Sequence, residues 1–185
     1  MDAASQVRAI IQEDPLRWRL LSVVRALGLP DCWIGAGFVR NAVWDHRHCR
    51  SPAAPDGDVD VIWYDRGSTD PSEDRKYEAA LRVVEPSVAW SVKNQARMHR
   101  RNGDAPYASA VEAMRFWPET ATAIAARRND RDECEIAAPF GLDDLLGLVL
   151  RPTPRFAHEE HPIYKERLRT KRWTTRWPLL KEAEA

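Results

Sequence analysis

Asp58-Val59-Asp60-Val61-Ile62-Trp63-Tyr64 is the stretch on which the fold turns. Its β-branched and aromatic content predicts a strand, and it begins with two acids instead of ending on them. Side chains two residues apart on a strand share a face, so Asp58 and Asp60 project together while Val59 and Val61 turn to the other side. Adjacent carboxylates repel, and a shared cation relieves the repulsion. An oxygen-only pair suits Mg²⁺ (or Mn²⁺), which retains waters and takes further ligands from substrate phosphates. The alternative use of such a pair is a polar strand edge that resists aggregation.

Upstream, Trp33-Ile34-Gly35-Ala36-Gly37 reads as a short buried strand running into a glycine turn, with a helix from Phe38 through Trp44. Glycines at 35 and 37 let backbone N–H groups approach an anion. The helix N-terminus adds its dipole, and Arg40 in the first turn adds fixed charge, so a triphosphate is a reasonable guest. A tight turn needing glycine only for its backbone angles is the competing reading. A dinucleotide fold would need a third glycine where Arg40 stands and would not need the acid doubled.

Around this centre, the polar segment 46–57 with Pro52 and Pro55 predicts a loop, 75–84 a helix, and Val88 to Asn94 a third strand. Residues 5–27 carry apolar side chains at spacings of three and four, which predicts amphipathic helix divided at Pro15. Beyond the third strand, helices are expected over 107–114, 120–128 and 143–150, with a short strand at 135–138. The class is α/β (α+β): a small mixed sheet from the strands near 33, 60 and 91, with flanking helices and a helical C-terminal part. Residues 1–130 are expected to form the core and 131–185 an extension packed on it.

The whole chain narrows the function classes. Its 185 residues, 44% hydrophobic and 30% charged, suffice for one domain with a real core. Lys plus Arg and Asp plus Glu both total 28, so any basic surface must be local. One candidate is the stretch from Arg151 to Arg176, which either touches phosphates or is a solvated helix face. No signal peptide or membrane-spanning run is visible, and a cytoplasmic protein without membrane association is expected. Cys32, Cys49 and Cys134 form no CxxC pair. His46-Arg47-His48-Cys49 has no second ligand cluster at zinc spacing. His158-Glu159-Glu160-His161 has its histidines three apart rather than the four of a metalloprotease helix. Most of the eight tryptophans are expected in the core, with Trp173 and Trp177 docking the tail.

Strand, G-x-G-x-x-R, spacer and D-x-D strand together resemble the nucleotidyltransferase superfamily that includes DNA polymerase beta. The ordered motifs Gly37-Phe38-Val39-Arg40-Asn41, Asp58-Val59-Asp60-Val61, Trp90 to His99, Trp117-Pro118-Glu119-Thr120-Ala121-Thr122 and Pro139 to Leu145 look like one bacterial family of nucleotidyltransferase-like proteins known mainly by its fold relationship. The resemblance covers roughly residues 15 to 180. It implies a polymerase-beta-type fold and metal-dependent transfer of a nucleoside monophosphate from a nucleoside triphosphate to an acceptor hydroxyl on RNA, protein or a small molecule. Asp58 and Asp60 would be the catalytic metal ligands. Arg40, Lys93 and Arg97 would contact the triphosphate beside Gly35 and Gly37. Ser91 stands where the superfamily usually supplies a third carboxylate, and a serine hydroxyl is a poor metal ligand and no base at neutral pH. Either Glu135 or another acid enters from elsewhere, or the chain is a non-catalytic nucleotide- or RNA-binding module.

Overall fold

Two aspartates start the helical layer in a computed structural model that describes residues 2–183. Asp2 accepts from Ser5 N (2.7 Å) at the head of α1 (Ala3–Glu13). Asp14 accepts from Leu16 N and Arg17 N at the head of α2 (Pro15–Arg25). These caps satisfy N–H groups that have no partner within the helix. Pro15 opens α2 instead of interrupting a longer helix, as expected from the sequence.

The chain continues through β1 (Trp33–Gly35), α3 (Gly37–Arg47), β2 (Val59–Trp63), α4 (Pro71–Val84), β3 (Trp90–Asn94) and two short helices, α5 (Met98–Asn102) and α6 (Ala110–Ala113). β4 (Ala125–Arg128) and β5 (Cys134–Ala137) complete a five-stranded sheet in the order β3-β2-β1-β4-β5. Only β2 and β3 run parallel, joined by the α4 crossover. The remaining pairs are antiparallel, so the sheet is mixed. α7 (Asp143–Leu146), β6 (Val149–Leu150), α8 (His161–Lys171), α9 (Trp173–Arg176) and β7 (Lys181–Glu182) form the C-terminal part, where β6 and β7 pair in parallel.

The helix expected over 120–128 is a correction. Residues 119–123 make tight turns (Ala123 N to Glu119 O, 3.0 Å), and Ala125–Arg128 is a strand between β1 and β5. Ala121, Ala123, Ile124, Ala125 and Ala126 are all buried. A short run of small residues buried on both faces has no readable period, and sheet pairing overrides the helical propensity of alanine. The helices at 107 and 143 are shorter than expected. Ser109 caps α6 by accepting from Glu112 N (3.0 Å), and α7 stops before Gly147 and Leu148, the latter at φ 58°. No helix among the described residues is long and apolar enough to cross a membrane.

One buried cluster runs from Val7 in α1 to Leu180 beside β7, and Trp44, Trp173 and Trp177 join its ends. Trp44 meets Trp173 and Trp177 edge to face at 5.6 and 5.1 Å, and Trp177 Nε1 donates to Asp45 (2.8 Å). The two C-terminal tryptophans therefore do dock the tail.

The cysteines give a direct check on this packing. Burial pushes the thiols of Cys32 and Cys134 up to about 12, while Cys49 is exposed. Because thiolate is the reactive form, mildly alkaline iodoacetamide is expected to label Cys49 alone in the native protein. Cys32 and Cys134 should follow only on denaturation. Peptide mass spectrometry showing Cys134 labelled as fast as Cys49 would contradict the placement of β5.

Candidate active site

The parallel register of β2 and β3 sets Asp60 opposite Ser91 and Ile62 opposite Lys93. Asp58 is exposed immediately before β2, two residues from Asp60. Asp60 lines a cleft of about 350 Å³ with Ser91 and Lys93 from β3, Ala36 from the turn after β1, Trp117 and Thr122 from the 117–122 segment, and Arg167 from α8. Gln95, Met98 and Arg101 close its other end.

The half-buried Asp60 carboxyl is held above the usual carboxylate range, chiefly by burial and then by the charge of Asp58. A hydrogen bond from Ser91 and the charges of Arg167 and Arg40 pull it back down. Two acids thus share one end of β2, and the nearest cations only partly compensate them.

The glycine turn takes its positive φ from neither glycine. The residue at positive φ is Ala36 (φ 53°, ψ −124°), while Gly35 and Gly37 are not in the left-handed region. An alanine in that conformation is strained, and such strain persists where surrounding structure enforces it. Here Ala36 N donates to Ile124 O (2.9 Å), and Ala36 O accepts from Arg40 N (3.0 Å). Gly35 is required for a close approach, since a Cβ there would lie 2.8 Å from Trp117 Cη2. Glycine brings the Trp117 ring against the β1 terminus. No side chain among the described residues caps the N-terminus of α3, which begins one residue after Ala36, a residue lining the cleft.

The structure separates the basic residues named from sequence. Lys93 lines the cleft. Arg40 is buried beneath it, donating from Nη1 to Thr122 Oγ1 (2.9 Å) and from Nη2 to Asn41 Oδ1 (2.9 Å), with Trp44 and Trp173 flanking its guanidinium. Arg97 lies in an adjoining groove, ion-paired with Asp74. Glu135 does not join Asp58 and Asp60. It sits on β5, with β1 and β4 between it and β2, and binds Arg127 (2.6 Å) and Asn129 (2.9 Å). Ser91 therefore holds the place beside Asp60.

Sequence reasoning left Arg167 within an undecided basic stretch and missed Trp117 as a lining residue. Arg167 reaches the cleft from more than a hundred residues along the chain. Its Nε donates to Glu119 (2.7 Å), a fully buried carboxylate whose other oxygen has no partner. Trp117 and Glu119 are in the motif that contains Thr120 and Thr122, and all four now have places: Thr122 accepting from Arg40, and Thr120 donating to Asp144 (2.7 Å). The tail's other basic residues are largely neutralised, with Arg151 on Asp144, Arg155 on Asp104 and Glu160, Lys165 on Glu182, and Arg169 on Glu166.

Among the described residues, no group of three or more His, Cys, Asp or Glu is gathered as a metal cage. His48 instead bonds to Trp44 O (2.7 Å) and accepts from Leu179 N (3.1 Å). The Asp58 and Asp60 pair fits a hard divalent cation completed by substrate oxygens: all donors are oxygen, and Asp60 is short of positive charge.

An acid pair at the edge of a parallel strand pair, a turn leading into an uncapped helix, and a small mixed sheet define a polymerase-beta-type nucleotidyltransferase head. The chain belongs to the family described as Nucleotidyltransferase, which matches residues 22–181. It is similar to a solved structure described as revealing a CCA-adding enzyme head domain, with 34% identity, TM-score 0.86 and coverage of 98% of this chain and 96% of that one. A CCA-adding enzyme in complex with CTP shares 15% identity at TM-score 0.62, covering 100% of this chain and 44% of that one. The Thermotoga maritima CCA-adding enzyme complexed with tRNA shares 15% at TM-score 0.61, covering 98% and 42%. These two more distant likenesses concern the fold, and the chain spans less than half of each enzyme. No curated protein matches the chain.

Proposed function

We propose that the protein transfers a nucleoside monophosphate from a nucleoside triphosphate to an acceptor hydroxyl, with Asp58 and Asp60 holding a divalent metal, Mg²⁺ or Mn²⁺. The observation that carries the reading is the placement of Asp60 in the cleft, with Asp58 beside it, below the uncapped N-terminus of α3 and across from Lys93 and Arg167. When bound, the metal would lower the pKa of the acceptor hydroxyl and offset charge on the departing pyrophosphate. The chain's own residues position the reactants. The N–H groups at Gly37 and after it face the phosphates, and the turn from Gly35 gives them room. Lys93 and Arg167 supply cations, and the Trp117 ring offers a face for the base. Arg40 acts on Asp60 from beneath through its charge, and Arg97, paired with Asp74, stands in the neighbouring groove. The acceptor oxygen bonds to the α-phosphorus as the bond to the β-phosphate oxygen breaks, chemistry in which positioning and charge neutralisation dominate.

Ser91 supports a second reading, a nucleotide-binding module without turnover, because among the described residues no third acid accompanies Asp58 and Asp60. A thermal-shift series with the four ribonucleoside triphosphates, with and without Mg²⁺ or Mn²⁺, tests binding, and release of labelled pyrophosphate tests turnover. At a ligand concentration about 100 times Kd, binding adds roughly 2.7 kcal/mol of stability. Arg167→Ala is expected to weaken the metal-dependent shift about tenfold in Kd, consistent with a charge-assisted contact of ~1.4 kcal/mol. Shifts absent for every triphosphate would overturn both readings, and shifts without pyrophosphate release would favour the second.

A further inference from the structure

The nucleotide cleft continues into a second groove, of about 650 Å³, through Lys93, Met98 and Arg101, which line both. Arg75 at the start of α4, Arg97 before α5 and Arg100 within it complete the groove's cationic wall. Against these five cations the groove's lining has one acid, the almost fully buried Asp74, and Lys93 also lies 3.9 Å from Glu78. Asp74 accepts from Trp63 Nε1 (2.9 Å) and Asn94 N (2.9 Å) and pairs with Arg97, fixing that guanidinium from inside. Arg97 Nε remains buried and without a partner.

This concentration of charge is unlike the rest of the surface. The chain is neutral overall, and most arginines of the C-terminal part are held by acids. Arg100 and Arg101 are exposed and form no ion pair among the described residues. Arg75 is likewise exposed and forms no ion pair among the described residues, with Asp70 near enough to feel its charge. Unpaired cations lining one wall repel one another, so the arrangement costs stability unless a polyanion occupies it.

We infer that this groove carries the acceptor, and that the acceptor is the end of a single-stranded nucleic acid whose backbone phosphates lie along Arg75, Lys93, Arg97, Arg100 and Arg101. Three features favour a nucleic acid over an acidic protein segment. The groove opens beside Asp60, where a terminal hydroxyl has to arrive. Its cations are mainly guanidinium groups, suited to bidentate phosphate contact. The continuous opening lets a strand thread toward the site while the triphosphate stays on the α3 side. The inference rests on the nucleotidyl-transfer reading for the role of the strand, but the binding surface stands on its own geometry.

The test is fluorescence anisotropy with a labelled oligoadenylate of about a dozen nucleotides, measured across a salt series on the full chain and on Arg75→Glu/Arg100→Glu. Neither substituted residue lines the nucleotide cleft, and both side chains are exposed, so folding should be retained. A thermal melt checks this. The wild-type protein is expected to bind with a strong salt dependence, roughly 0.7 in logarithmic slope for each phosphate contacted. The double variant should bind roughly tenfold or more weakly, with the slope reduced by about 1.4. Its metal-dependent thermal shift with ATP should be unchanged. Equal affinity and slope for the two proteins would overturn the inference. So would equal competition by polyglutamate of matched charge, which would make the groove a site for acidic protein, or complete displacement by tripolyphosphate irrespective of oligonucleotide length. Oligonucleotide binding that behaves as expected, in a protein that no triphosphate stabilises, would sustain the groove and remove the transfer reading.

Discussion

Asp60→Asn is expected to lower nucleotidyl transfer by on the order of 10³-fold, about 4 kcal/mol of barrier, while raising the melting temperature. The two effects come from the same carboxylate. In the native state, burial and Asp58 make its proton harder to remove than in the unfolded chain, where the value lies near that of an ordinary aspartate. A folded-state pKa raised above the unfolded one means that ionisation at neutral pH opposes folding, and that this opposition fades as pH falls through the folded pKa. Asparagine keeps the shape, removes the charge and loses the metal-ligand oxygen. It therefore relieves the native state while abolishing the site's hold on a divalent cation, a trade of stability for function that such sites commonly show. Isothermal calorimetry with a triphosphate and Mn²⁺, paired with thermal melts, separates the contributions. A variant that melts below wild type and keeps its metal-dependent nucleotide binding would remove Asp60 from the site and with it the proposed mechanism.

Much of this centre was legible because it is local. The two-residue period of a strand gave the expected relation of Asp58 to Asp60, with β2 itself beginning at Val59 just after Asp58, and the Trp33 to Gly37 run announced a strand, a turn and a helix in order. What the sequence concealed was long-range. Nothing near Arg167 shows that α8 folds back so that Glu119 can hold it at the cleft, because that contact joins residues far apart in the chain. The basic tail left phosphate contact and a solvated helix face both open, and most of its charges turn out to be paired by acids, several brought in from elsewhere. The groove is formed by residues from α4, β3 and α5 that no single window collects. β4 was hidden for a different reason: alanine-rich sequence buried on both faces carries no amphipathic period, and only its neighbours β1 and β5 make it a strand. The turn gave a third lesson. Two glycines suggested left-handed backbone at 35 or 37, yet the strain falls on Ala36, and Gly35 is needed because Trp117 lies where a Cβ would be.

The largest loss of stability is expected at Arg40. Its guanidinium is almost fully buried, and burial draws its pKa down to about 10, opposed first by the charge of Glu119, so it stays protonated at neutral pH. The Trp44 ring lies 4.8 Å and the Trp173 ring 4.5 Å from Cζ, one from α3 and the other from α9. The same group donates to Thr122 ahead of β4 and to Asn41, which in turn donates to Asp56 (3.1 Å) in the loop before β2. Arg40 thus ties together the turn, the 117–122 segment and the C-terminal helices. Arg40→Ala empties the space between the two tryptophan rings and leaves Thr122 and Asn41 without their buried donor, and truncating a large buried side chain that also strands polar partners costs about 3–5 kcal/mol. In a chain of this length that is roughly 10 °C in Tm. Arg40→Lys retains the charge but not the planar fork or the stacking, so it should recover less than half of the loss. Hydrogen exchange in α8 and α9 should rise in both variants, because Trp173 loses the planar guanidinium of Arg40 over its ring. If Arg40 served only as a triphosphate ligand, the lysine variant would melt like wild type and lose nucleotide affinity alone. Thermal melts of the two variants without nucleotide therefore distinguish a residue that holds the site together from one that holds the substrate.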